Sequence, residues 1–171
     1  MIREVKDILE EVVKNRVPDV TVVRSAADES HAIMAREWPL VALITNPGTF
    51  DGSEARTVRY HDEADGTYKQ RYVRGYRVLP ILVRCWASGE DEADAVFSRI
   101  IPAIPSQWNY DDFTGSVEIG AEEHSDHTGN VGKLYLSVAE VRFSVAAARE
   151  AEVIPSFTQV EPEGGEIAPI A

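Results

Sequence analysis

The residues best suited to chemistry lie close together between positions 122 and 127. Two histidines stand three positions apart there among carboxylates, and imidazole and carboxylate groups are common ligands of divalent metals such as zinc. The same composition is typical of a solvated loop, so we predict a polar loop over residues 122–132 and no bound metal. The alternative is a metal-dependent hydrolase, with His124, Asp126 and His127 as its candidate ligands beside Glu122 and Glu123.

No other part of the sequence carries a recognisable catalytic motif. No glycine-rich loop ends in the Lys-Ser/Thr pair of a phosphate-binding loop, and no Gly-x-Ser-x-Gly segment occurs. Cys85 lies inside an apolar strand pattern, where a buried thiol stays protonated and inert. Asp111 and Asp112 are adjacent, so in a strand their carboxylates point to opposite faces. We therefore predict that the chain is not an enzyme and uses no catalytic residue and no cofactor.

Two aromatic side chains leave a further alternative open. Trp108 and Tyr110 can stack on a ring of a small molecule, which would make the chain an intracellular ligand-binding domain. The same side chains can instead anchor a loop to the core or to a neighbouring subunit, and that is the prediction we prefer.

Length and composition indicate one globular domain. The chain has 171 residues, of which 44% are apolar and 27% charged, and these values are ordinary for a soluble domain with its own core. The net charge of −12 means that the general surface repels nucleic-acid phosphates. The single cysteine excludes an internal disulfide, and no apolar run is long enough for a membrane span or a signal peptide. We therefore expect a location in the cytoplasm.

The charge is distributed unevenly along the chain. Residues 54–77 carry a net charge of +2, which leaves −14 for the rest. Their pattern predicts a long β-hairpin with a turn near residues 62–66. Because its arms are rich in Arg, Lys and Tyr, it is either a solvated ribbon or a contact arm for an acidic surface on another copy or partner. Its candidate contact residues are Arg56, Arg59, Lys69, Arg71, Arg74 and Arg77.

Apolar periodicity places the remaining elements. Helices are predicted near residues 2–14 and 88–101, and strands near residues 20–24, 40–45, 76–87, 116–120 and 133–147. Residues 25–38 give an ambiguous pattern. We predict an α+β fold with a mostly antiparallel sheet, two main helices packed on one face, and a long protruding β-hairpin. Residues 1–147 form the domain, and the acidic, proline-containing residues 148–171 are predicted to be an extended or disordered tail.

One stretch of the sequence resembles a known family. In phage tail-terminator proteins (tail-completion proteins, similar to minor tail protein U), a core strand ending in Trp/Tyr-Ala leads into an acidic helix start with Glu-Ala-Asp. Residues 76–101 resemble that pattern. The matching residues are Val83, Trp86 and Ala87, followed by Glu92, Ala93 and Asp94.

The resemblance implies a structural virion protein. Tail terminators are small subunits that close into a homohexameric ring, cap the tail tube, and present a docking face to the head-completion or connector protein. DNA passes through the lumen without sequence-specific binding. The implied location is the virion tail or neck, and the host cytoplasm during assembly. The hairpin cations would then contact the next subunit or the tube protein. The alternative within the same class is another neck or head-completion connector protein.

Overall fold

The computed structural model describes residues 1–52, 56–62, 67–110, 113–148 and 152–153. These residues form three α-helices and one nine-stranded mixed sheet, which confirms the α+β class. The helices are α1 (Ile2–Arg16), α2 (Ala26–Ala35) and α3 (Glu90–Ile100), and α3 continues into a short 3-10 turn (Ile101–Ala103). The strands are β1 (Thr21–Val23), β2 (Leu40–Thr45), β3 (Thr49–Asp51), β4 (Arg56–Asp62), β5 (Thr67–Ala87), β6 (Gln107–Tyr110), β7 (Phe113–Gly129), β8 (Gly132–Ala148) and β9 (Glu152–Val153).

Strand β5 organises the sheet. Along one edge of its 21 residues it pairs in turn with β2, β3 and β4, and along the other edge with β8 and β9. The main path across the sheet runs β1-β2-β5-β8-β7-β6. Only the β1–β2 pair is parallel among these described pairs, so the sheet is mostly antiparallel.

The main core lies on one face of this sheet. Alternate residues of β5 and β8 point to that face, and helices α1 and α3 cover it with their apolar stripes. The strands contribute Val41, Leu43, Leu79, Ile81, Val83, Cys85, Ala139, Val141, Phe143 and Val145, and the helices contribute Val5, Leu9, Val13, Val96, Phe97 and Ile100.

Helix α2 packs on the opposite face. It occupies the segment whose sequence pattern is ambiguous, and it begins after Ser25, whose Oγ accepts a hydrogen bond from the backbone N–H of Asp28 at 3.1 Å. The buried Glu29 carboxylate accepts from Trp86 Nε1 at 2.7 Å and pairs with Arg84 Nη1 at 3.1 Å. Because Arg84 and Trp86 alternate with the core residues of β5, this network fixes α2 to the second face.

The prediction of a polar loop over residues 122–132 is wrong. Strand β7 continues to Gly129 and pairs with β8 until Gly129 faces Gly132, so only Asn130 and Val131 form the turn. The side chains of residues 121–130 are all exposed. A strand with both faces in solvent needs no apolar alternation, which is why its composition is that of a loop.

A glycine junction divides β5 into two parts. The β5–β8 register shifts between Val73 and Gly75, and Gly75 has φ +153°, a conformation that favours glycine. A Cβ at Gly75 would lie 2.0 Å from the carbonyl oxygen of Asp51. The part of β5 after Gly75 carries the main core, and the part before it pairs with β4.

Beyond β8, the structure describes one short segment of the predicted tail. Glu152–Val153 pair with Gln70 and Lys69, so they add a third strand beside the β4–β5 pair. Residues 149–151 and 154–171 lie outside the described residues. None of the described helices is long and apolar enough to cross a membrane.

Candidate subunit-contact surface

We define the hairpin arm as β4 together with residues 67–74 of β5. The two strands pair antiparallel from Arg56 opposite Val73 to Asp62 opposite Thr67, so the predicted hairpin forms. Residues 53–55 and 63–66, which include the predicted turn, lie outside the described residues. Among the arm side chains that the structure describes, only Val73 is a buried apolar residue. Most of the described side chains of the arm are therefore open, at least in part, to contacts with other molecules.

Cross-strand pairing divides the arm's cations between two faces. Opposite residues share a face, and residues two apart along a strand do so as well. Arg56 therefore shares one face with Lys69 and Arg71, while Arg59 lies on the other face opposite Gln70. Arg56 and Arg59 are exposed, whereas Lys69 and Arg71 are half-buried.

Two tyrosines accompany Arg59 on its face, and they are not among the individually predicted contact residues. Tyr68 is 60% exposed and Tyr72 is 47% exposed, unusually open for aromatic side chains. Tyrosine and arginine, together with tryptophan, are enriched among the side chains that contribute most of the binding energy of protein interfaces. The alternation Tyr68, Gln70, Tyr72 is the sequence signal that places these aromatics together.

The last two candidate cations lie at or near the base of the arm. Arg74 is exposed at the bulge beside Gly75. Arg77 pairs with the exposed Phe50 of the neighbouring strand β3. Together with Ile2, it lines a depression of about 330 Å³. The six predicted contact residues therefore form a two-sided arm with a separate apolar-basic patch near its base.

The candidate metal ligands do not converge. His124 and Asp126 point to the α3 side of β7, whereas His127 points to the other side and contacts the ring of Trp86 at 5.2 Å between centroids. The Nζ of Lys133 lies 3.1 Å from Asp126 and holds the pKa of that carboxyl below its usual value. In the described part of the chain, no three His, Cys, Asp or Glu side chains are grouped so that they could hold a metal.

His124 and Ser137 form a pair that the sequence does not suggest. They lie on neighbouring strands beside a cavity of about 530 Å³ under α3, with His124 Nδ1 2.9 Å from Ser137 Oγ. The ring of Phe97 meets His124 edge-on at 5.8 Å. A serine nucleophile must reach its substrate, but Ser137 is only 2% exposed. The pair therefore acts as a partly buried hydrogen bond between β7 and β8.

Of the two aromatic candidates for ligand binding, the structure describes the side chain of Trp108 only. Trp108 is 4% exposed, donates from Nε1 to the carbonyl oxygen of Ser144 at 3.2 Å, and packs edge-on against Phe143. It is therefore a core anchor, as the preferred prediction states. The side chain of Tyr110 and residues Asp111 and Asp112 lie outside the described residues.

Cys85 is buried in the core, and burial raises the pKa of its thiol to about 12. The thiol is then almost wholly protonated at pH 8, whereas an unperturbed thiol is partly ionised there. We expect a chromogenic disulfide reagent to modify native Cys85 at least about 100-fold more slowly than urea-unfolded protein. Rapid labelling of the native protein would show that this strand opens readily.

Comparison with known proteins adds no assignment to this geometry. A scan against protein-family models finds no match, and a search of curated proteins finds none either.

Proposed function

We propose that this chain is a structural subunit that assembles into a homohexameric ring of the phage tail-terminator type, capping a tail tube and joining it to the head connector. The observation that carries the proposal is the hairpin arm, whose exposed cations and tyrosines stand on an otherwise strongly acidic chain. The resemblance of residues 76–101 to the tail-terminator pattern supports the same reading.

Charge favours another copy as the arm's partner. Residues 54–77 carry a net charge of +2 and the remainder carries −14, so the rest of a second chain is acidic on average and attracts a basic arm. Complementary charge raises the rate of encounter and selects the orientation of docking. The tube protein and the connector protein are the further partners in this proposal.

The construction of the arm also suits a contact element. Because β5 continues from the core through the bulge at Gly75 into the arm, the arm is held by the same strand that carries Leu79 to Cys85. Binding by a segment that is already ordered avoids the entropy cost of ordering a flexible one. The acidic remainder of the subunit repels phosphates, which suits a ring whose lumen passes DNA without binding its sequence.

The test of this proposal is the solution mass, measured by light scattering on a sizing column over a range of protein and salt concentrations. We expect a discrete species with six times the 18.9 kDa mass of one chain, alone or after addition of tube protein. A monomer under both conditions would contradict the proposal.

Reversing the charge of the arm should prevent this assembly. In the variant Arg56→Glu, Arg59→Glu, Arg74→Glu, three exposed cations become acids facing an acidic partner surface, and we expect the ring fraction to fall at least about tenfold. The matched control is Arg3→Glu, Arg16→Glu, Arg99→Glu, which makes the same charge change at exposed helix positions. Equal assembly of the two variants would show that the arm is only a solvated ribbon.

A further inference from the structure

Strand β7 has a long edge that no described strand covers. One edge of β7 pairs with β8, and β6 covers the other edge only from Phe113 to Ser116. From Glu118 onward the outer edge faces no strand within the described part of the chain. Such an edge presents unpaired backbone donors and acceptors, which are a template for pairing with another chain.

The charge of this edge restricts what can pair with it. Between residues 118 and 129 the chain carries four carboxylates and no Lys or Arg. Glu122 points to the α3 side of the sheet and Glu123 to the other side, and both are exposed. An acidic edge repels an identical edge and favours a basic strand, because like charges placed opposite each other in a sheet destabilise it. The four carboxylates are Glu118, Glu122, Glu123 and Asp126.

Strand β4 has an open edge and exposed cations, which complement the acidic edge of β7. It pairs with β5 on one edge, and its other edge faces no strand among the described residues. Its exposed cations, Arg56 and Arg59, point to opposite faces. The seven residues of β4 fit within the eight-residue regular stretch of β7 from Glu122 to Gly129, which follows the β-bulge between Ile119 and Glu122.

We propose that the outer edge of β7 receives the β4 edge of a second copy of this chain, so that the sheets of neighbouring subunits join by strand addition. Basic and acidic side chains then meet on both faces of the joined sheet. Donor and acceptor are different parts of the surface, so every subunit gives one arm and accepts one, as a ring requires. This inference rests on the proposed self-assembly and identifies the surface that receives the arm.

The test uses two full-length variants with opposite charge. The arm variant is Arg56→Glu, Arg59→Glu, and the edge variant is Glu122→Lys, Glu123→Lys. Each variant alone opposes like charges at the contact, so we expect each to be monomeric on the sizing column. When the two variants are mixed, the acidic arm of the arm variant fits the basic edge of the edge variant. The unmodified basic arm of the edge variant likewise fits the unmodified acidic edge of the arm variant. We therefore expect equimolar mixing to restore an oligomer of alternating subunits. All four side chains are exposed, and circular dichroism checks that both variants fold.

The edge variant separates this contact from a general effect of charge. Each Glu→Lys change adds two positive charges, so its net charge moves from −12 to −8. A general reduction of repulsion between copies would improve its assembly, whereas the proposed contact predicts loss. The matched control, Glu11→Lys with Asp19→Lys, makes the same change at exposed positions on and after α1 and should assemble like the unmodified protein.

Two results would overturn the inference while leaving the proposed ring intact. One is a mixture of the two variants that stays monomeric, and the other is normal assembly of the edge variant. If the edge variant forms rings but fails to bind tube protein, the edge is assigned to the tube protein. If the unmodified chain never assembles, the proposed function itself fails.

Discussion

Replacing Gly75 by alanine is expected to disrupt the junction between the core and the hairpin arm. The new Cβ would lie 2.0 Å from the carbonyl oxygen of Asp51, and the backbone at φ +153° is one that alanine rarely adopts. Strain and overlap of this kind together cost about 3 kcal/mol or more. Because Asp51 ends β3, the relief of the clash separates β3 from β5 at the base of the arm.

Two measurements report on this change. Urea unfolding should show a large loss of stability. Light scattering should show loss of assembly even at urea concentrations at which the remaining core is folded. Gly129→Ala is the matched control, since a Cβ there meets nothing within 4 Å. A Gly75→Ala protein that is as stable as Gly129→Ala and assembles normally would show that the arm does not depend on this junction.

Replacing Glu29 by alanine is expected to lower the free energy of unfolding by about 2–4 kcal/mol, because it leaves the Trp86 N–H and the partly buried Arg84 without their acceptor. Glu29→Gln should lose less, since an amide oxygen still accepts from Trp86 but no longer neutralises Arg84. Chemical denaturation monitored by tryptophan fluorescence measures both.

The control for this prediction is Glu11→Ala, which removes an exposed carboxylate on another helix and should change stability by less than about 0.5 kcal/mol. If Glu29→Ala matched that control, the hydrogen bonds of Glu29 would contribute nothing net, and α2 would be held by apolar contacts such as the buried Ala32.

Elements that bury an apolar face could be predicted from the sequence. The alternation from Leu79 to Cys85 predicts β5, and three- and four-residue spacing predicts α1, since burial imposes each pattern directly. Helix α2 buries only Glu29 and Ala32 and so carries no apolar stripe. The second half of β7 buries neither face, so its composition is typical of a loop. The pairing of Glu29 with Trp86 joins residues 57 apart, which no local pattern reveals.

The same reasoning explains what could be predicted of the candidate contact surface. A run of cations and tyrosines without aliphatics identifies the arm, and strand alternation assigns Arg59 and Lys69 to opposite faces. The proposed receiving edge could not be predicted, because an open edge depends on which strands neighbour it. That neighbourhood is fixed by topology, and the composition of Glu118 to Gly129 does not encode it.

The continuity of β5 has a mechanical consequence. Its bonds to β2, β3, β4 and β8 run across the strand direction. A pull on the arm along its length therefore loads many of these bonds in shear, and they must yield together instead of peeling apart one by one. At roughly 3.3 Å per residue, β5 is a strand about 70 Å long that connects the arm directly to the core. In such a subunit, the hydrogen bonds of the sheet are the first interactions to oppose a pull on the arm.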